Sequence, residues 1–279
     1  MTAISSIYVY VEPRCAVVDY DDVAAHVRQN LPGVAVSLRG RILEDSVAGD
    51  SAAARQLATA LAGAKVRKLG EPAPRRQKSL PGEVEYELRR LANPDGQAYG
   101  LLYDAGAMLE VYRGFLPEME ARRQDTLHVI FTNQLIGNWD AADKRYHART
   151  VICSSPSIIS LSGLVEAPAR EPGYYLARRS SEALGFQEEA KMELARFFAG
   201  DYLTFDDSRM TEAAKGYVMA AASYRMTGEA FCADPDCGLF NAHWQRELIR
   251  AQLGGPYEYC EPHSRVFRQC KTTQEAPWR

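Results

Sequence analysis

The sequence predicts an α/β fold, with a twisted mixed sheet in its first part and a helical C-terminal half. Three observations carry this. The opening residues alternate strand, helix and strand. Helical periodicity takes over from about residue 173. Four of the six cysteines fall at position 232 or later, where they bracket one of those helices. A strand, a helix and a strand in close succession fold most simply as a βαβ unit.

ISSIYVYVE (4–12) alternates apolar and polar residues and is rich in β-branched and aromatic types, which favours a strand. DYDDVAAHVRQNLPG (19–33) has Asp residues at its start, apolar residues at helical spacing and a Leu-Pro-Gly stop, so it reads as a helix. GVAVSLRG (33–40) is a second strand and DSAAARQLATALAG (50–63) another helix. The proline-rich, basic EPAPRRQKSLPG (71–82) is expected to be an exposed loop within one domain, because elements of the same character resume beyond it.

Helices near 82–93 and 105–117 follow. TLHVIFTNQL (126–135) begins as a buried strand, and RYHARTVICSS (145–155) and SIISLSGLVEA (157–167) resemble two more, open to pairing with each other. Three helical stretches then run through SSEALGFQEEAKMELARFFAG, SRMTEAAKGYVMAAASYRMTG and LFNAHWQRELIRAQLGG. No internal repeat appears. The expected organisation is a single domain over 1–279, with a sheet-containing part (1–170) and a helical part (171–279).

Composition narrows the function classes. Of the 279 residues, 46% are hydrophobic and 25% charged, which is the globular range and enough for a sizeable core. A net charge of −3 gives no electrostatic reason to expect nucleic acid or an anionic membrane as partner. No apolar run approaches the roughly 20 residues needed to span a bilayer. MTAISSIYVYVEPRC lacks a basic segment followed by an apolar block, so a cytoplasmic location is the expectation.

The cysteines are too uneven for a disulfide framework, and in a reducing compartment such a cluster more often holds a metal. Cys232 and Cys237 form a C-x4-C pair around the turn-forming Ala-Asp-Pro-Asp. After 22 intervening residues, Cys260 and His263 form a C-x2-H pair, with Gly254, Gly255 and Pro256 stopping the helix between the pairs. Thiolates and imidazole are ligands that Zn²⁺ prefers, and four of them close a tetrahedral structural site, one zinc per chain. Cys270 is the substitute should His263 point away.

FCADPDCGLF and YCEPH are similar in order and spacing to the structural zinc site of archaemetzincins, a branch of the metzincin metalloproteases, with His263 in place of a final cysteine. The resemblance extends through HVIFTNQLIGNWDAADKRYHARTVICSS, SIISLSGLVEAPAREPGYY and CGLFNAHWQREL, and implies a metzincin-like domain over the whole chain. In that family H-E-x-x-H-x-x-G-x-x-H precedes the first cysteine. Here the frame holds AASYRMTGEAF: Gly228 falls on the motif glycine, Ala221, Arg225 and Phe231 on the histidines, and Ala222 on the glutamate. Leu239 falls on the methionine under the metal. A catalytic zinc needs about three protein ligands, an open position and a nearby carboxylate. None of these side chains can serve, so the resemblance implies a protein that has lost proteolysis. The former groove would then take a peptide or protein partner.

Other readings use other residues. Arg145, His147 and Arg149 alternate in RYHAR and share one face of a strand, able to receive an anion; the alternative is a solvated face. Glu166, read as a strand-end carboxylate, is a candidate general base, or a salt-bridge partner. An enzyme of another kind would use Glu166, His147 and these arginines in the old cleft. A relocated metal site would use His128, His147 and Glu166, although His128 in LHVIF reads as a satisfied core histidine. His26 reads as a surface or boundary residue on the first helix, and His243 as a group beside the zinc or a helix cap. A third reading takes the chain from about 205 onward as an independent zinc-ribbon-like module.

Overall fold

A computed structural model describes residues 2–12, 17–73, 77–93, 100–183, 200–256 and 258–269. Its centre is a five-stranded sheet in the order β2-β1-β4-β8-β7. The strands are β1 (Ser6–Tyr10), β2 (Ala35–Arg39), β4 (Thr126–Thr132), β7 (Val151–Ile152) and β8 (Ser157–Ser160), and only the edge strand β7 runs antiparallel. The register sets Ile7 beside Val36 on one side and Leu127 on the other, and Ile130 beside Ile158. All seven residues of β4 are buried, as its near-continuous apolar run requires of a strand covered on both faces. A second sheet, β3-β5-β6, is formed by β3 (Leu102–Asp104), β5 (Leu135–Asp140) and β6 (Arg145–Arg149).

The expected opening βαβ unit forms. Helix α1 (Tyr20–Asn30) starts where the Asp19 carboxylate accepts from the Asp22 N–H, buries Val23, Ala24 and Val27, and leads into Gly33 at φ 95°. A five-residue helix α2 (Ile42–Ser46), not expected, follows β2. Asp50 caps α3 (Ser51–Gly63) through the N–H groups of Ala52 and Ala53. Helices α4 (Pro81–Ala92), α5 (Ala105–Phe115) and the single turn α6 (Glu118–Ala121) complete this part, so the basic loop gives way to helix at Pro81.

Two of the hydrophobic cores draw on the large sheet, and a small third one packs Ala58 and Ala62 of α3 against Val84 of α4. One gathers α1, the residues on one face of β1 and β4 such as Ile7, Val9 and Val129, and the C-terminal helices. The other gathers Tyr10, Ile130 and Ile158 with Leu57, Leu61, Tyr103, Met108 and Tyr112 from α3, β3 and α5.

Three expected strands differ from the structure. The 126–135 run breaks after Thr132, and Leu135 opens β5 in the other sheet. The 145–155 run splits at Thr150: β6 pairs with β5, whereas β7 pairs with β8. SIISLSGLVEA is half strand and half helix, because the Ser160 hydroxyl accepts from the Gly163 N–H and caps α7 (Leu161–Glu166). Gly163 is required there, since a Cβ would stand 2.3 Å from the Arg149 carbonyl oxygen. Glu166 therefore ends a helix rather than a strand.

The C-terminal half is helical as expected. It contains α8 (Pro172–Ala183), α9 (Met210–Thr227), α10 (Gln245–Ile249) running into a π-turn (Arg250–Gly254), and α11 (Glu261–Gln269). The rest of the stretch expected as helix over 180–200 lies outside the described residues from 184 to 199. The helix expected from Leu239 begins only at Gln245, where the Glu247 carboxylate accepts from the His243 and Trp244 N–H groups. α9 is buried along nearly its whole length and ends at Gly228, φ 87°, whose N–H donates to the Tyr224 carbonyl. No helix among the described residues is long and apolar enough to cross a membrane.

Candidate metal centre

After α9 the chain turns back on itself. The Cys232 N–H donates to the Leu239 carbonyl at 2.7 Å, and the intervening turn is held by an Asp234 carboxylate that accepts from the Asp236 N–H. Arg250, from the π-turn, clamps the same turn through Asp236 at 2.7 Å. The Gly238 N–H donates to the Glu258 carbonyl at 2.8 Å, which brings the second ligand pair alongside the first. A Cβ at 238 would lie 2.8 Å from that carbonyl oxygen, so glycine permits the approach. Cys260 then stands immediately before α11, and His263 lies in its first turn, three residues on and hence on the same side.

The four ligand atoms of Cys232, Cys237, Cys260 and His263 all lie within 4.8 Å of one another. Cys232 Sγ is 3.8 Å from Cys260 Sγ, and His263 Nδ1 is 3.9 Å from Cys237 Sγ and 3.0 Å from Cys260 Sγ. A tetrahedral zinc with Zn–S near 2.3 Å spaces its sulfurs about 3.7 Å apart, so the donor set fits the ion in both chemistry and scale. Two backbone groups also point at sulfur: the Asp234 N–H reaches Cys232 Sγ at 3.4 Å and the Cys260 N–H reaches Cys237 Sγ at 3.5 Å. Such donors stabilise thiolate charge.

Burial pushes the Cys237 thiol up to about 12 and raises Cys232. A divalent cation reverses that penalty by replacing the protons. Burial lowers His263, which keeps its imidazole neutral and able to ligate. The cluster closes onto the core: Cys237 and Leu239 are buried, and Tyr259 meets the buried Phe267 edge-on at 5.0 Å. Cys270 lies outside the described residues.

At the motif positions the helix before the cluster offers no ligand. Ala221 and Ala222 are wholly buried in the core. Arg225 turns to the start of β4, where its Nη2 donates to the Gln124 carbonyl. Phe231 packs half-buried against the core, and Leu239 is buried.

The other candidates sit apart. His147, on β6, is 2.8 Å from Asp143 Oδ2 and 3.5 Å from Arg145 Nε, and Arg149 follows half-buried on the same strand. With Asp140 and Asp143 it forms the second group of donors within 4.8 Å among the described residues. Sequence reasoning did not pair it with those aspartates, although all three lie in one hairpin. His128 is buried between the rings of Tyr8 and Tyr10, with Nδ1 3.2 Å from the Tyr10 hydroxyl. Glu166 is exposed at the end of α7. His128, His147 and Glu166 therefore do not assemble a metal site. His26 ties α1 to the segment before Cys260, through Glu258 and Tyr259 at 3.0 Å each. His243 stays outside the ligand group, and its carbonyl accepts from the Ala169 N–H.

Fold and cluster together describe a mixed α/β protein able to hold a metal ion. The chain belongs to the family described as "Probable metallopeptidase family (DUF6775)", whose model matches residues 3–270. No curated protein and no solved structure matches it.

Proposed function

We propose that this chain is an archaemetzincin-like, single-domain member of its family that holds one structural zinc on Cys232, Cys237, Cys260 and His263 and has lost peptide-bond hydrolysis. The observation that carries the reading is the convergence of three thiols and an imidazole within 4.8 Å beside a helix whose motif positions are Ala221, Ala222 and Arg225. Bound there, zinc supplies a crosslink between the turn after α9 and the start of α11, with no open position for water or substrate. The chain's own residues do the rest. The Asp234 and Cys260 N–H groups support the sulfurs, Arg250 holds the turn, and Phe267 and Tyr259 exclude water.

In this reading the former groove serves binding. A cavity of about 450 Å³ beside the end of α9, lined by Thr2, Ser154, Ser155, Tyr224, Arg225 and Gly228, is where a peptide or protein partner would enter. Arg225 brings a fixed positive charge to the place where a catalytic cation would otherwise sit. The reading is tested by metal analysis together with peptidase assays on the purified full chain. One zinc per chain and no cleavage of unstructured peptides are expected. Two zincs per chain with chelator-sensitive cleavage would overturn it.

A further inference from the structure

The cavity beside the end of α9 has a chemistry of its own, separate from the metal cluster. Three distant pieces of chain form it: Thr2 ahead of β1, Ser154 and Ser155 between β7 and β8, and the last turn of α9 as far as Gly228. The Thr2 N–H donates to the Met226 carbonyl at 3.0 Å, which ties the first piece to the last. A Cβ on Gly228 would meet nothing within 4 Å, so the helix end leaves free space there. At about 450 Å³ the cavity is of a size that takes a small ligand or part of a peptide.

Its lining is rich in donors and holds no carboxylate side chain. Arg225 is the charged residue of the lining, and Glu229, the nearest acidic residue in sequence, does not reach it. The Arg225 Nη2 donates to the Gln124 carbonyl, whereas its buried Nε has no acceptor. Arg39, Arg90 and Arg209 sit on the carboxylates of Glu120, Glu87 and Asp207. Arg225 has no such counter-charge among the described residues. Hydroxyls add to the donor supply. Arg113, itself paired with Glu110 at 2.9 Å, donates through Nη2 to Ser154 Oγ at 3.2 Å and through Nε to the Ser155 carbonyl at 2.8 Å. The Ser154 oxygen thus serves as an acceptor, which leaves its proton to be donated. Tyr224 stands in the same lining, 39% exposed. What the cavity lacks is acceptor oxygen carrying negative charge.

We propose, on the reading of the former groove as a binding site, that this cavity takes a carboxylate of a short peptide. Arg225 is its counter-charge, and the Ser154 and Tyr224 hydroxyls are further donors. A guanidinium matches the plane of a carboxylate, and charge-assisted hydrogen bonds are the strong ones. The bond to Gln124 already fixes the Arg225 side chain, so little of its freedom is lost on binding. The carbonyl end of the α9 dipole opposes an anion here, which keeps the expected affinity modest. The carboxylate belongs to the peptide's C-terminus or to an acidic side chain, and both are offered in the test.

Three acetylated tripeptides are titrated into the purified full chain at matched ionic strength, following the Arg225 Nε–H signal by NMR. They are tri-alanine with a free carboxyl end, the same peptide amidated, and an amidated Ala-Asp-Ala. Saturable shifts are expected with the first or the third, and the one that binds identifies the source of the carboxylate. The neutral amide is expected to bind roughly tenfold more weakly, or not at all. Arg225→Gln is expected to abolish the preference for charge. Equal binding of all three, binding of none, or a charge preference that survives Arg225→Gln would each overturn the proposal. Should Arg225→Gln fail to fold, the comparison of acid with amide on the unmodified chain decides alone. Mass spectrometry of the recovered peptides keeps the two readings apart. Cleaved peptide would sink the claim of lost hydrolysis, whereas intact peptide bound without regard to charge would sink only this proposal.

Discussion

Among the described residues, two regions bring metal-ligand side chains within 4.8 Å of one another, and they differ in donor chemistry and surroundings. The cluster at Cys232, Cys237, Cys260 and His263 has soft donors and backbone N–H groups aimed at sulfur, and its Cys237 is sunk in the core. The hairpin group at Asp140, Asp143 and His147 has two carboxylates and an imidazole, with Asp143 exposed and the other two half-buried. Its Asp140 is already occupied in accepting from the Ala142 and Asp143 N–H groups of its own turn. A hairpin of this kind needs its aspartate to close the turn, with or without an ion. Proximity of donors is thus a weak sign of a metal site. Donors that the surrounding fold leaves otherwise unemployed are a stronger one.

The comparison is broken most directly by removing one thiol. Cys237→Ser, read by zinc content and thermal unfolding, is expected to lose the ion and about 4 kcal/mol, roughly 10 °C in Tm for a chain of this size. His263→Cys keeps a four-ligand set and is expected to retain zinc, whereas His263→Ala weakens binding; competition with a colorimetric chelator measures both. Ala221→His probes the helix beside the cluster. It crowds a fully buried position and is expected to cost about 2 kcal/mol by denaturant unfolding without creating a second zinc site. Gly228→Ala meets nothing within 4 Å but keeps φ 87°, so a loss of about 1 kcal/mol is expected from backbone strain alone. His147→Ala, in the hairpin, is expected to leave zinc content unchanged and stability within about 0.5 kcal/mol.

The same contrast explains what could be read from the sequence. Asp19 and Asp50 announce α1 and α3 because capping is local, and TLHVIFT announces a buried strand because its apolar run has no polar face. The ligand pairs were legible for the same reason: C-x4-C across a turn and C-x2-H at a helix start are short-range geometry. What was hidden depends on distant partners. Thr150 looks like mid-strand, yet the chain changes sheets there because β5 and β8 compete for its flanks. Ser160 caps a helix inside a run that alternates like a strand.

X-ray absorption at the zinc edge of the purified full chain tests the central claim most directly. The account expects a first shell of three sulfurs near 2.3 Å and one nitrogen near 2.0 Å, about one zinc per chain. A shell of nitrogen and oxygen alone, or no bound zinc at all, would contradict it.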